Sequence, residues 1–99
     1  MSFSLGRSGK VSKDAAESIA AQALGFLAGE PQRLAGFLGL SGMDVPELRA
    51  RAGDPDLLAA VLDYLVRDES QLLVFAAEAG LPPERVVVAA HVLAGDIVP

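Results

Sequence analysis

The chain has 99 residues, of which 52% are hydrophobic, and it contains one histidine and no cysteine. A chain of this length forms one small domain, and the missing cysteine excludes disulfides and thiolate chemistry. The formal net charge is −5 at pH 7, and an acidic body repels the phosphate backbone of nucleic acids at long range.

The first twelve residues, MSFSLGRSGKVS, contain serine, glycine and two cations but no acid. Because they lack the apolar core of a signal peptide, residues 1–12 are predicted to form a flexible N-terminal tail, and residues 13–99 a single helical domain. The longest uncharged run of that domain, Ser18–Gly29, is too short to cross a bilayer. We therefore expect a soluble, cytoplasmic protein.

Hydrophobic residues recur at helical spacing along the whole domain, and no stretch alternates as a strand would. Ser12 or Asp14 can cap a first helix, whose apolar face continues to about Ala28. A second helix is predicted to begin at Pro31, because proline is tolerated in a first turn. The glycine and following hydrophobe at its end predict a Schellman turn at Gly42.

Capping acids and first-turn prolines mark four further helix starts. These starts are Asp44-Val45-Pro46-Glu47, Asp54-Pro55, Asp68 and Pro82-Pro83-Glu84. The expected ends of the third, fifth and sixth helices are the glycines Gly53, Gly80 and Gly95. The sequence thus predicts an all-α protein, a compact bundle of five to six short helices joined by short loops.

Two stretches match without a gap at an offset of 38 residues: LGFLAGEPQRLAGFLGLSGM at Leu24–Met43 and LDYLVRDESQLLVFAAEAGL at Leu62–Leu81. Core positions, helix caps and glycine stops all pair in this way, as in Phe37/Phe75 and Gly42/Gly80. The pattern indicates an internal repeat over about residues 15–52 and 53–90, with two three-helix units related by a pseudo-two-fold axis. The alternative is two similar helical hairpins that obey the same capping rules.

The chain offers few groups for catalysis. His91 is the only histidine and lies in an apolar helix, which favours a packed or edge histidine over a catalytic one. The carboxylate pairs Asp54/Asp56 and Asp68/Glu69 fall at predicted helix starts, where acids favour the helix dipole, so capping explains them. With no P-loop, GxGxxG or EF-hand spacing either, we predict no catalytic, cofactor-binding or metal-binding residue and no enzymatic activity.

Helix–glycine–helix corners are typical of helix-turn-helix proteins, and the chain contains two such corners. The helix after Gly80 carries valines and alanines, which cannot read base edges. The helix after Gly42 carries Arg49 and Arg51, although acids stand beside them. Nucleic acid is therefore not the expected partner, and a regulator that contacts it through the Arg49/Arg51 helix is the alternative hypothesis.

Three segments are apolar on nearly all sides: RLAGFLGLSGM, QLLVFAAEAGL and Val86–Leu93. Together they present more apolar surface than so short a chain readily buries. Such a surface indicates either a tightly closed core or an interface. We expect a non-enzymatic protein–protein interaction module, whose partner is an unknown protein or a second copy of the chain, with no membrane, cofactor or metal involved.

Three stretches, FLAGEPQRLAGFLGLSGM, LLAAVLDYLVRDESQLLVFAAEAGLPPE and AHVLAGD, resemble a domain-of-unknown-function family of short all-helical proteins from alphaproteobacteria. The resemblance covers about residues 14–95, is most specific around Leu58–Gly80, and leaves the tail outside. It implies a bacterial cytoplasmic protein of uncharacterised function, and it brings no catalytic residues to this chain.

Overall fold

The computed structural model describes residues 11–95, and the structural statements below refer to that part of the chain. It contains six α-helices, and it has no strand within those residues, so the predicted all-α fold is confirmed. The helices are α1 (Lys13–Ala28), α2 (Pro31–Ser41), α3 (Val45–Ala50), α4 (Pro55–Val66), α5 (Glu69–Ala79) and α6 (Pro83–Ala94). None of them is long and apolar enough to cross a membrane.

Side-chain caps begin four of these helices at the positions that the sequence predicted. The Ser12 hydroxyl accepts a hydrogen bond from the Ala15 N–H at 3.0 Å at the start of α1. Asp44, Asp54 and Asp68 cap α3, α4 and α5 in the same way, each accepting from a backbone N–H two or three residues later. Each cap satisfies a donor that the first helical turn leaves without a partner.

The turns after α2 and α5 differ in their hydrogen bonds. After α5, the Leu81 N–H donates to the Ala76 carbonyl at 2.9 Å, which is the long bond of a Schellman motif. After α2, the Met43 N–H donates instead to the Ser41 hydroxyl at 3.4 Å. Gly42, at φ 76°, therefore closes α2 with the simpler left-handed turn, and the Schellman motif predicted there was wrong.

The core lies where α6 packs against both α1 and α4. The side chains at its centre are fully buried: Leu27 from α1, Val61, Leu62 and Leu65 from α4, and Val86 from α6. A helix so placed needs apolar residues on several faces, which accounts for the valines and alanines of α6.

The other two strongly apolar segments are not covered in this way. In α2 only Phe37 is buried, and Leu40 is 72% exposed. In α5, Leu73 and Val74 are 48% and 42% exposed. The bundle thus leaves apolar side chains at its surface because α2 and α5 each present one face to the core.

The limits of the helical body differ from the prediction at two places. Val11 is buried in the core and Ser12 caps α1, so these two residues belong to the helical body rather than to the predicted tail. The rest of that tail, residues 1–10, lies outside the described residues, as do residues 96–99. The third helix ends at Ala50 rather than near Gly53, because residues 51–53 form a turn.

Helix limits in the two halves correspond at the 38-residue offset. Helices α2 and α5 begin and end at equivalent positions, α1 and α4 end at equivalent positions, and α3 and α6 begin at them. The rings of Phe26 and Phe75 lie 5.4 Å apart between centroids, and the equivalent pair, Tyr64 and Phe37, is also separated by 5.4 Å. These correspondences support the internal repeat over residues 15–52 and 53–90, and the repeat itself stays a prediction.

A candidate docking groove

An apolar groove of about 320 Å³ opens between α1, α2 and α3. Its aliphatic wall is formed by Leu24, Ala28, Leu34, Val45, Leu48 and Ala52. Leu48 is buried at the floor, whereas Val45 is 41% exposed at the edge. Apolar surface therefore continues from the core out to solvent at this place.

The groove exists because α3 is short. Helix α3 has 6 residues, whereas its counterpart α6 has 12 and packs along α4. Of the residues 38 positions after the groove wall, Leu62, Leu72, Val86 and Ala90 are buried, and Val66 and Pro83 are half-buried. The second half of the chain thus closes the surface that the first half leaves open.

Two arginines lie on or beside α3, and their surroundings differ. Arg51 Nε lies 3.4 Å from Asp54 Oδ2, and Arg51 Nη1 lies 3.9 Å from Glu47 Oε2 and 3.8 Å from Met43 Sδ. Arg49 lines the groove, and within residues 11–95 no carboxylate lies within ion-pair distance of it. Arg51 is held by its own chain, and Arg49 is the charge that the groove presents.

A family model described as a protein of unknown function, DUF3572, matches residues 13–96. The chain belongs to the DUF3572 family. The expected membership of a domain-of-unknown-function family is confirmed, and the alphaproteobacterial origin stays a prediction. No match to a curated protein or to a solved structure was found. Because the match begins with α1 and extends past α6, the groove lies wholly inside the DUF3572 domain.

Two smaller grooves in this DUF3572 domain flank the aromatic pairs. One, of about 220 Å³, lies beside Phe26 and Phe75 between α1 and α5. The other, of about 190 Å³, lies beside Phe37 and Tyr64 between α2 and α4, and the exposed Leu40 borders it. The two occupy equivalent positions in the two halves of the chain.

The polar groups that contact Phe26 and Tyr64 have different chemistry. The Arg33 guanidinium lies 4.1 Å from the centroid of the Phe26 ring, within range of a cation–π interaction. At the equivalent place, Gln71 Nε2 donates to the Tyr64 hydroxyl at 3.4 Å and to Asp68 Oδ2 at 3.0 Å. Both arrangements fix an aromatic side chain against its neighbouring helix.

The residues singled out by the sequence are not brought together into one site. His91 is exposed on α6, while Asp54 and Asp68 are occupied as caps. Hydrogen bonds from the side chain and backbone N–H of Gln71 lower the pKa of Asp68, which is the behaviour of a capping carboxylate. Among residues 11–95 no group of three His, Asp or Glu side chains could hold a metal ion.

Sequence reasoning missed the groove as a site. Its signal in the sequence is the short interval between the cap at Asp44 and the next cap at Asp54, which leaves room for only a brief helix. The exposure of Val45 depends on how α3 sits against α1, and no local pattern reports that arrangement.

Proposed function

We propose that this protein is a non-enzymatic helical interaction module that docks a protein partner in the groove between α1, α2 and α3. The observation that carries the proposal is the continuous aliphatic wall that runs from buried Leu48 to exposed Val45. An apolar surface of this kind gains free energy when a partner removes it from water, at roughly 25 cal/mol per Å². Exposed apolar patches rimmed by polar residues mark protein–protein interaction sites or ligand-binding grooves.

The alternative hypothesis, contact with nucleic acid through Arg49 and Arg51, has less support. Arg51 would have to leave Glu47 and Asp54 before it could reach a phosphate. Residues 11–95 contain six cations and twelve acids, a net charge of −6, so the surrounding field opposes a polyanion. Arg49 alone gives little of the charge that phosphate binding needs.

Two matched variants test the docking function. Val45→Glu places a charge at the edge of the groove, and Val74→Glu makes the same chemical change on α5, outside the groove. The two valines are 41% and 42% exposed, so both variants should fold, which circular dichroism would check.

The purified chain and both variants are immobilised and exposed to a lysate of the source organism. Light scattering after size exclusion measures their oligomeric states. We expect a protein, or a second copy of the chain, that is bound by the native chain and by Val74→Glu but lost from Val45→Glu. Equal binding to all three proteins, or a monomer that binds nothing, would contradict the proposal.

A further inference from the structure

The groove presents one charge, and that charge is positive. Arg49 is the only charged residue of its lining, and it has no ion-pair partner within residues 11–95. By contrast, Arg33, Arg51 and Arg67 each have a carboxylate within 4 Å. A carboxylate on the occupant is therefore the group that complements the groove.

The shape of the groove favours a helix as its occupant. Its walls are helices, whose side-chain ridges accept the side chains of another helix. The described residues offer no sheet edge to which an extended strand could add. In the second half of the chain, the positions equivalent to Leu48 and Ala52 are Val86 and Ala90, which lie buried in helix-to-helix contact.

We infer that the groove binds the apolar face of an amphipathic helix from another protein, and that this helix carries one carboxylate beside that face. Aliphatic side chains spaced three and four residues apart would fill the space between α1 and α3, as in helix-in-groove recognition. An Asp or Glu at the edge of that face would pair with Arg49. This inference rests on the proposed docking function and names the class of partner.

Synthetic helical peptides test the inference on the full chain. One fluorescent peptide carries leucines at helical spacing and a flanking glutamate. A second replaces the glutamate by lysine, and a third replaces the leucines by serine. Fluorescence anisotropy measures the affinity of each peptide for the native chain and for Val45→Glu, Val74→Glu and Arg49→Glu.

We expect the glutamate peptide to bind the native chain and Val74→Glu, but not Val45→Glu. The lysine peptide should bind the native chain about fivefold more weakly, because an exposed ion pair contributes up to about 1 kcal/mol. The serine peptide should not bind. In Arg49→Glu the lysine peptide should bind more tightly than the glutamate peptide, which reverses the order of affinities. If Arg49 had a purely structural role, the substitution would not reverse that order.

Equal affinity for the glutamate and lysine peptides would overturn the inference, and so would binding retained by Val45→Glu. If no peptide binds while lysate capture still depends on Val45, the docking function stands and the inferred class of partner, an amphipathic helix with a carboxylate beside its apolar face, is wrong. If light scattering shows a dimer that Val45→Glu dissociates, the occupant is a second copy of the chain, and the inference is again overturned.

Discussion

Replacing Gly36 by alanine tests how Tyr64 packs on α2. A Cβ atom at Gly36 would lie 2.6 Å from the Tyr64 hydroxyl oxygen, so one of the two groups must move. Tyr64 is not free to yield, because its ring packs edge-on against Phe37 and its hydroxyl accepts a hydrogen bond from Gln71. Glycine at position 36 is what permits this arrangement.

The magnitude follows from three competing contributions. Alanine is more stable than glycine in a helix interior by about 0.5–1 kcal/mol. Displacing Tyr64 would weaken an aromatic pair worth about 0.5–1.5 kcal/mol and a hydrogen bond worth about 0.5–1.5 kcal/mol. Because the two losses together exceed the gain, we expect Gly36→Ala to lower the free energy of unfolding by about 1 kcal/mol.

Gly39 provides the matched control on the same helix. A Cβ atom there would meet no heavy atom within 4 Å, so Gly39→Ala should raise the free energy of unfolding by about 0.5–1 kcal/mol. Tyr64→Phe removes the clashing oxygen and leaves the ring carbon Cζ at 3.8 Å, an ordinary contact. Gly36→Ala should therefore be neutral or stabilising when it is made in the Tyr64→Phe background.

Urea unfolding followed by far-ultraviolet circular dichroism measures the native chain and the four variants, including the double variant Tyr64→Phe/Gly36→Ala. The midpoints and slopes together give the free energies of unfolding. If Gly36→Ala stabilises the native chain as much as Gly39→Ala does, the packing of Tyr64 against α2 does not constrain position 36 and the reasoning is refuted.

Three further substitutions probe the core, a cap and a turn, and a fourth is the control for the turn. Phe75→Ala should lower the free energy of unfolding by about 3–5 kcal/mol, because Phe75 is 2% exposed; a loss below 1 kcal/mol in urea unfolding, roughly a third of the low estimate, would contradict the packing. Hydrogen bonds from Gln71 hold the pKa of Asp68 below its ordinary 3.8, so the ionised Asp68 carboxylate stabilises the folded state. This contribution to the free energy of unfolding is fully present above pH 3.8 and is lost as the pH falls through the lower folded-state pKa. Asp68→Asn keeps a capping acceptor that does not titrate and should lose less stability in acid than the native chain, as unfolding at neutral and acidic pH would measure. Gly80→Ala should lower the free energy of unfolding by about 1–2 kcal/mol, because φ at this position is 71°. Gly25→Ala on α1, where a Cβ atom would meet nothing within 4 Å, should raise it. If the two substitutions shift the midpoint of thermal unfolding in the same direction, the left-handed turn at Gly80 is contradicted.

Local chemistry explains why most helix starts could be predicted. A capping side chain acts within three residues of itself, and a proline fixes its own φ. The helix starts at Asp44, Asp54 and Asp68 could therefore be predicted without knowledge of the rest of the fold. The same is true of the left-handed glycine at position 80, whose turn depends on its own backbone.

Features that depend on distant contacts could not be predicted in the same way. Nothing near Gly36 in the sequence indicates that Tyr64, 28 positions later, lies against it. The hydrogen bonds at Gly42 also differ from the Schellman pattern because the Ser41 side chain competes for the Met43 N–H. The groove combines both kinds of feature: the caps at Asp44 and Asp54 limit the length of α3, whereas the exposure of Val45 depends on how the helices fit together.

The shallow anchoring of α2 has a consequence for how the molecule fluctuates. Helix α2 has 11 residues and buries only one side chain, that of Phe37, so few contacts oppose the transient release of the helix from the bundle. Amide hydrogens of α2 and α3 should exchange with solvent sooner than those of α1, α4 and α6. A bound partner would slow that exchange most in α2 and α3, which makes isotope labelling a direct reporter of occupancy.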